Sequence, residues 1–316
     1  MVAAVAAAAT LACSPARGLG RAFYRRGTVS RMVDLATCRD RAQPGAPSLN
    51  VPRPSTSPGG RYVVELQGVR DGNTGTSSIV VHDRRTHRSH VPFRVRESYR
   101  HALQGMPGPL VFFRWSGDAK WLFFAIDPQG SASLMADGLD MRVVSASGGR
   151  VHDLGVRLAY ADYLAWCGGQ LVYTAGGDRM ATTGKRLLVA APPDWKPREL
   201  VPAAGRAWGS LVCAMDGRSV VVQSQPAREL PNFFQTRWSL WRVGLDGTQA
   251  RLTSPPPGFA DEAPHLAGDT LFFVRSRKGR GSLYALRRGR LLGPFASLGF
   301  SLGYYGHNDW TYAVRR

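Results

Sequence analysis

A turn phrase of about ten residues recurs along this chain at a spacing that restricts its fold more than any single residue does. In its fullest copies a Ser, Pro, Gly or Asp turn precedes an apolar run: Ser57-Pro58-Gly59-Gly60-Arg61 before Tyr62-Val63-Val64, Ser116-Gly117-Asp118-Ala119-Lys120 before Trp121-Leu122-Phe123-Phe124, and Ala214-Met215-Asp216-Gly217-Arg218 before Ser219-Val220-Val221-Val222. Tight turns of this kind between strand-like runs are what hairpins need. Shorter copies are Cys167-Gly168-Gly169-Gln170, Ala267-Gly268-Asp269-Thr270 and His307-Asn308-Asp309, each leading into a further apolar run. The turns fall near residues 60, 118, 168, 217, 269 and 309. A period of roughly 40 to 60 residues is that of four-stranded propeller blades, and helical solenoids are disfavoured.

Each turn is followed by a second half. In the fourth unit Trp238-Ser239-Leu240-Trp241-Arg242-Val243 alternates with period two, Gly244-Leu245-Asp246-Gly247 closes a turn, and Ala250-Arg251-Leu252-Thr253 begins an outer strand. The second unit repeats the plan with Met141-Arg142-Val143-Val144, a turn at Ser147-Gly148-Gly149, and Val151-His152-Asp153-Leu154. Each unit therefore reads as an up-and-down four-stranded sheet, and the expected fold is an all-β, six-bladed β-propeller of antiparallel blades. The ring is expected to close by joining the two ends of the chain: Gly303 to Val314 would supply inner strands of the last blade, and Arg31 to Asp40 its outer hairpin. Closure of this kind removes exposed sheet edges. Trp115, Trp121, Trp166, Trp238 and Trp241 are read as inter-blade core.

These phrases resemble the repeat of the TolB-like propellers, Trp-Ser-Pro-Asp-Gly-Lys followed by an apolar strand. The resemblance covers most of residues 31–316, and it implies a stand-alone propeller, because the N-terminal domain that accompanies the ring in TolB itself has no room here. The prolyl-oligopeptidase-like enzymes are matched only in their non-catalytic part, since no Gly-x-Ser-x-Gly elbow is present.

The first residues differ in kind. Residues 1–12, rich in Ala and Val, have the length of a signal-peptide apolar core. Thr10-Leu11-Ala12-Cys13 resembles a bacterial lipobox, which makes Cys13 the candidate lipid attachment site and the lipid the one membrane contact expected. Residues 13–30, with Arg17, Arg21, Arg25 and Arg26, read as a flexible tether, and 31–316 as one propeller domain. If Cys13 is lipidated, Cys38, Cys167 and Cys213 remain and at most one intramolecular disulfide can form; Cys167 and Cys213, in adjacent turn phrases, are the pair to join if one does, but three buried free thiols are the preferred expectation.

Net charge is +19, yet of 41 basic residues only Lys120, Lys185, Lys196 and Lys278 are lysine, an arginine skew that a GC-rich coding sequence produces by itself. The densest basic run is Arg275, Arg277, Lys278, Arg280, Arg287, Arg288 and Arg290. It reads as a solvated loop face on two successive turns, and without interleaved aromatics it does not suit single-strand stacking. His82, His87 and His90 are close in sequence, but three nearby arginines oppose a cation, so neither a metal nor another cofactor is expected.

No catalytic constellation is legible. What a propeller offers is the mouth of its channel, built from residues before the inner strands and from loops between blades. The candidates for binding there are Tyr160, Asp162 and Tyr163; Asp261 and Glu262; and Tyr304, Tyr305, His307 and Asp309. Rings would give apolar contact area and carboxylates would fix orientation. The leading expectation is a non-enzymatic, exported, monomeric binding module at the bacterial cell envelope, with another envelope protein or a small ligand as partner. The alternatives are a propeller lyase or hydrolase acting on sugars or peptides through the acidic mouth, and a cytosolic nucleic-acid scaffold resting on charge alone.

Overall fold

The structure of the protein, a computed structural model, describes residues 13–43, 55–71, 74–98, 110–126, 138–202, 205–229, 236–301 and 305–315. Its strands form six antiparallel sheets that follow one another along the chain as the blades of a propeller. The turn phrase explains the blades' first hairpins. Ser116 Oγ accepts the Trp121 N–H at 3.0 Å, Ser57 Oγ accepts the Tyr62 N–H at 2.9 Å, and Asp216 Oδ1 accepts the Arg218 N–H at 2.8 Å. A short oxygen-bearing side chain at the first or third turn position thus satisfies backbone donors that a two-strand turn would leave unpaired.

The first three strands, β1 (Arg21–Arg26), β2 (Val29–Asp34) and β3 (Asp40–Ala42), belong to the last blade. Blade 1 contains β4 (Tyr62–Asp71), β5 (Thr74–Asp83) and β6 (Arg88–Ser98), and its inner edge is the short bridge from Thr56 to Val63. Blade 2 is β7 (Leu110–Trp115), β8 (Trp121–Ile126), β9 (Leu139–Ser145) and β10 (His152–Arg157). Blade 3 is β11 (Leu164–Cys167), β12 (Gln170–Ala175), β13 (Arg186–Ala190) and β14 (Arg198–Glu199). Blade 4 is β15 (Arg206–Cys213), β16 (Ser219–Pro226), β17 (Ser239–Gly244) and β18 (Gln249–Arg251). Blade 5 is β19 (Ala260–Ala267), β20 (Thr270–Arg277), β21 (Arg280–Arg287) and β22 (Arg290–Phe300). Blade 6 runs β23-β1-β2-β3, with β23 (Tyr312–Arg315) innermost.

Closure is therefore by the two ends, but divided one strand to three, not two to two. β23 pairs with β1 from Tyr24↔Tyr312 to Arg21↔Arg315. Residues 21–30, expected as tether, are strand and hairpin. Their arginines face water while Ala22 and Tyr24 are fully buried, an alternation that reads as polar when counted by charge but as a half-buried strand when counted by twos. The preceding residues are also fixed: the Ser14 N–H bonds the Pro294 carbonyl at 3.1 Å, the Ala16 N–H bonds the Leu35 carbonyl at 2.8 Å, and Leu19 is buried. This segment stitches blade 5 to blade 6.

The hydrophobic core lies in slabs between blades. Phe123, Met141, Leu171, Tyr173 and Trp195 fill the space between blades 2 and 3; Val172, Val189, Trp208 and Val222 that between blades 3 and 4; Phe272, Leu283, Tyr24 and Val33 that between blades 5 and 6. Trp115 and Trp238 are buried, and Trp121, Trp166 and Trp241 pack partly buried against these slabs. Trp195, which lies outside the repeated phrase, joins them: its ring meets Trp121 edge-on at 5.0 Å.

The four cysteines form two disulfides, Cys13–Cys38 and Cys167–Cys213, with Cα separations of 5.9 and 5.3 Å. The first ties the N-terminal segment to the β2–β3 turn; the second ties the turn phrases of blades 3 and 4. There the backbones approach so closely that a Cβ on Gly168 would lie 2.3 Å from the Gly217 carbonyl oxygen. A sulfur already bonded to Cys38 cannot carry a lipid thioether, so disulfide and lipidation exclude one another at Cys13, and the structure has the disulfide. No helix among the described residues is long and apolar enough to cross a membrane.

Candidate functional site

Strand direction defines two faces. The face where the inner strands begin carries the blade-to-blade connections and the turns between second and third strands. On this face the connection of blade 3 runs over 176–185, where Thr182 Oγ1 donates to the Arg228 carbonyl of blade 4 at 2.8 Å, against two residues in blades 5 and 6. Long connections on a rigid ring are where binding surfaces are usually built.

At its centre the 3-10 turn Ala161–Tyr163 leads into β11. Arg157, wholly buried and lying over the Phe113 ring at 4.5 Å, donates from Nη2 to the Tyr160 carbonyl and so fixes the start of this turn. Burial pushes its guanidinium down to about 9. Tyr160 and Tyr163 meet edge-on at 5.1 Å.

His307 enters this pair of rings from the segment that precedes β23. It stacks on Tyr160 at 3.7 Å with planes 7° apart and meets Tyr163 edge-on at 5.4 Å. Its Nε2 lies 3.1 Å from Asp162 Oδ2, and Ser210 Oγ donates to the same oxygen at 2.5 Å. Ser210 reaches it because β15 bulges between Trp208 and Leu211. The bulge is held from blade 3, where Thr174 Oγ1 donates to the Gly209 carbonyl at 2.8 Å. Burial works to lower the His307 pKa, but the Asp162 charge and hydrogen bond, with Asp309 and Glu262 nearby, prevail and raise it. Burial works to raise Asp162, and the His307 charge and the bonds from His307 and Ser210 prevail and lower it. Each group thus favours the charged form of the other.

The other sequence candidates lie elsewhere. Asp261 and Glu262 are on β19, not before it. Asp261 is buried in a two-pronged pair with Arg275, at 2.7 and 2.9 Å. Glu262 is buried and accepts from Thr236 Oγ1 at 2.8 Å, Asn308 Nδ2 at 2.9 Å and Trp310 Nε1 at 2.7 Å. Burial raises its pKa against the pull of those three donors. Its role is to fasten the terminal segment to blade 5. Tyr305 lies under Arg179, 5.6 Å from the guanidinium carbon to the ring centre. Asp309 is exposed, and Tyr304 lies outside the described residues.

The arrangement gives no activated nucleophile. Asp162 stands between Ser210 and His307, so the serine hydroxyl donates to a carboxylate and has no imidazole to take its proton. The histidines of blade 1 do not converge on an ion: His82 Nε2 meets Glu65 at 2.8 Å, its Nδ1 meets Ser89 at 2.7 Å, and His90 Nε2 meets the Ala146 carbonyl at 2.6 Å. The basic run of blade 5 is split. Arg275 is paired inside; Arg277, Lys278 and Arg280 flank one hairpin turn, and Arg287, Arg288 and Arg290 flank the next, at opposite ends of β21.

No protein-family model matches the chain, and no curated protein matches it in sequence. Among solved structures it is similar to TolB from Acinetobacter baumannii, with 14% identity, a TM-score of 0.46, and coverage of 94% of this chain and 68% of that one. It is also similar to a putative TolB from Agrobacterium tumefaciens, at 12% identity and a TM-score of 0.46 over 96% and 99% of the two chains. An oligogalacturonate lyase in complex with manganese matches at 14% identity and a TM-score of 0.46, over 83% of this chain and 69% of that one. Likeness at this level carries no activity from one protein to another. By its own six sheets and end-to-end closure, the chain is a six-bladed β-propeller.

Proposed function

We propose that the chain is an exported propeller that acts as a binding module for a protein or small ligand at the cell envelope, using the face that carries the 176–185 connection of blade 3. The observation that carries this reading is the aromatic and acidic cluster of Tyr160, Asp162, Tyr163 and His307, without a nucleophile and base in contact, on the face that also bears the 176–185 connection. Export is supported by the apolar residues 1–12 and by two disulfides, which form and persist in oxidising compartments.

The test is cell fractionation of the full chain with mass determination of its mature N-terminus and of its thiols. Export with cleavage before Cys13 and both disulfides formed is the expected result. A cytosolic chain with Met1 or Val2 retained and four free thiols would discard it. Turnover on peptide, ester or glycan panels that vanishes in Asp162→Ala would replace the binding reading with the enzymatic one.

A further inference from the structure

In a six-bladed ring blade 3 lies across the axis from blade 6, yet the segment leading into blade 6 makes its contacts on blades 3 and 4. The Ala181 N–H donates to the Tyr305 carbonyl at 2.8 Å, Trp238 Nε1 donates to the Gly306 carbonyl at 3.3 Å, and His307 occupies the slot formed by Tyr160, Tyr163 and Asp162. The loop that bears Ala181 is itself braced, for Lys185 Nζ donates to the carbonyls of Asp178 and Thr183 at 2.7 and 3.0 Å. From Asn308 onward the chain returns to Glu262 of blade 5. Residues 305–308 are thus a strap across the mouth, held at two successive backbone carbonyls and by three side chains: Tyr305 against Arg179, His307 in its slot and Asn308 on Glu262.

That pattern is how a groove reads a peptide. Backbone acceptors are met by fixed donors, and one side chain enters a pocket that specifies it. The pocket's chemistry is narrow: two tyrosine rings for a flat group, and a carboxylate whose side chain keeps 42% of its exposure, oriented by Ser210, for a positive charge. His307 itself is 5% exposed.

We infer that blade 3 carries a recognition slot for a histidine imidazolium presented on an extended peptide, and that residues 305–308 occupy it as the chain's own ligand. A partner enters by exchange, placing its histidine between Tyr160 and Asp162 as the strap leaves. The inference rests on the reading that this face is the binding face, and it names the ligand class that the face takes.

The experiment vacates the slot. In the full chain carrying His307→Gly, imidazole is titrated against calorimetric heat and melting temperature, beside pyrazole, a ring of the same shape that stays uncharged. Saturable imidazole binding, at least tenfold tighter than pyrazole and lost when Asp162→Asn is added, is expected. The unmodified chain, whose slot is filled, should bind neither. Equal binding of the two rings, or of neither, overturns the inference. Should His307→Gly fail to fold, the unmodified chain decides: with nitrogen-15 histidine, the His307 ring signals must move toward free imidazole on adding acetyl-Tyr-Gly-His-Asn-amide, and unmoved signals overturn it. Imidazole binding without any partner on this face would retain the slot and remove the wider function. A partner whose binding is indifferent to Asp162→Asn would do the reverse.

Discussion

The indole N–H of Trp310 donates to the buried carboxylate of Glu262 across 2.7 Å, joining the segment that closes the ring to the inner strand of the blade before it. Thr236 and Asn308 complete the set of donors around that carboxylate. An acceptor so surrounded is costly to delete, because three donors are then left without a partner in a dry site. Glu262→Ala should lose about 3 kcal/mol in urea unfolding, and Trp310→Phe about 1 kcal/mol. A loss below about 0.5 kcal/mol for Glu262→Ala would show that closure does not depend on this junction.

The disulfides should contribute separately. Cys13–Cys38 spans a sequence separation of 25 and Cys167–Cys213 one of 46. The chain-entropy relation assigns about 3.5 kcal/mol to the first loop and about 4 kcal/mol to the second. Cys13→Ser should lower the unfolding midpoint and also free residues 13–19 to proteolysis, whereas Cys167→Ser should lower the midpoint and leave that segment protected. Peptide mapping without reductant checks both pairings; a diacylglyceryl mass on Cys13 would contradict the first.

The strap should hold in a defined pH window. The His307 pKa is raised, so its contribution is complete below about 6.5 and is lost as pH rises through the folded-state value. The Asp162 pKa is lowered, so its contribution is present above about 3.9 and is lost as pH falls through the folded-state value. Asp162→Asn should therefore destabilise most between about pH 4 and about pH 6.5, and less and less above that range. Urea midpoints of both proteins at acid, neutral and alkaline pH check the sign. A difference that grew toward alkaline pH would refute the ion pair.

The blades were legible in the sequence because their first hairpins are made by local chemistry. Ser57, Ser116 and Asp216 bond backbone groups within five residues, so the phrase carries its own explanation. What was hidden depends on partners far along the chain. β1 shows only Ala22, Phe23 and Tyr24 among arginines, and the strand that completes it, β23, lies at the other end of the sequence. The same holds at the site. Tyr160, Asp162, Tyr163 and His307 were nameable from their place before inner strands, but Ser210 reaches them only through a bulge, which leaves no mark beyond the Gly209 beside it. Asp261 and Glu262 looked alike as an acidic pair, yet neighbouring strand positions point to opposite sides, so one meets Arg275 and the other Trp310.

That separation bears on the charge of blade 5. Asp261 is fully buried and Arg275 nearly so, the guanidinium lying 5.2 Å from the Tyr284 ring centre. Arg275→Met strands a carboxylate without its counter-ion and should cost about 3 to 5 kcal/mol, whereas the double change Asp261→Asn with Arg275→Met should recover most of the loss. Arg277, Lys278 and Arg280 are exposed and should do the opposite. Changing all three to Gln should leave the urea midpoint within about 0.5 kcal/mol while weakening retention on heparin, as expected of solvated charges. Heparin elution that shifted with the stable Asp261→Asn/Arg275→Met protein, and not with the triple change, would mean that the inner arginine is available to polyanions and that the buried pair opens in solution.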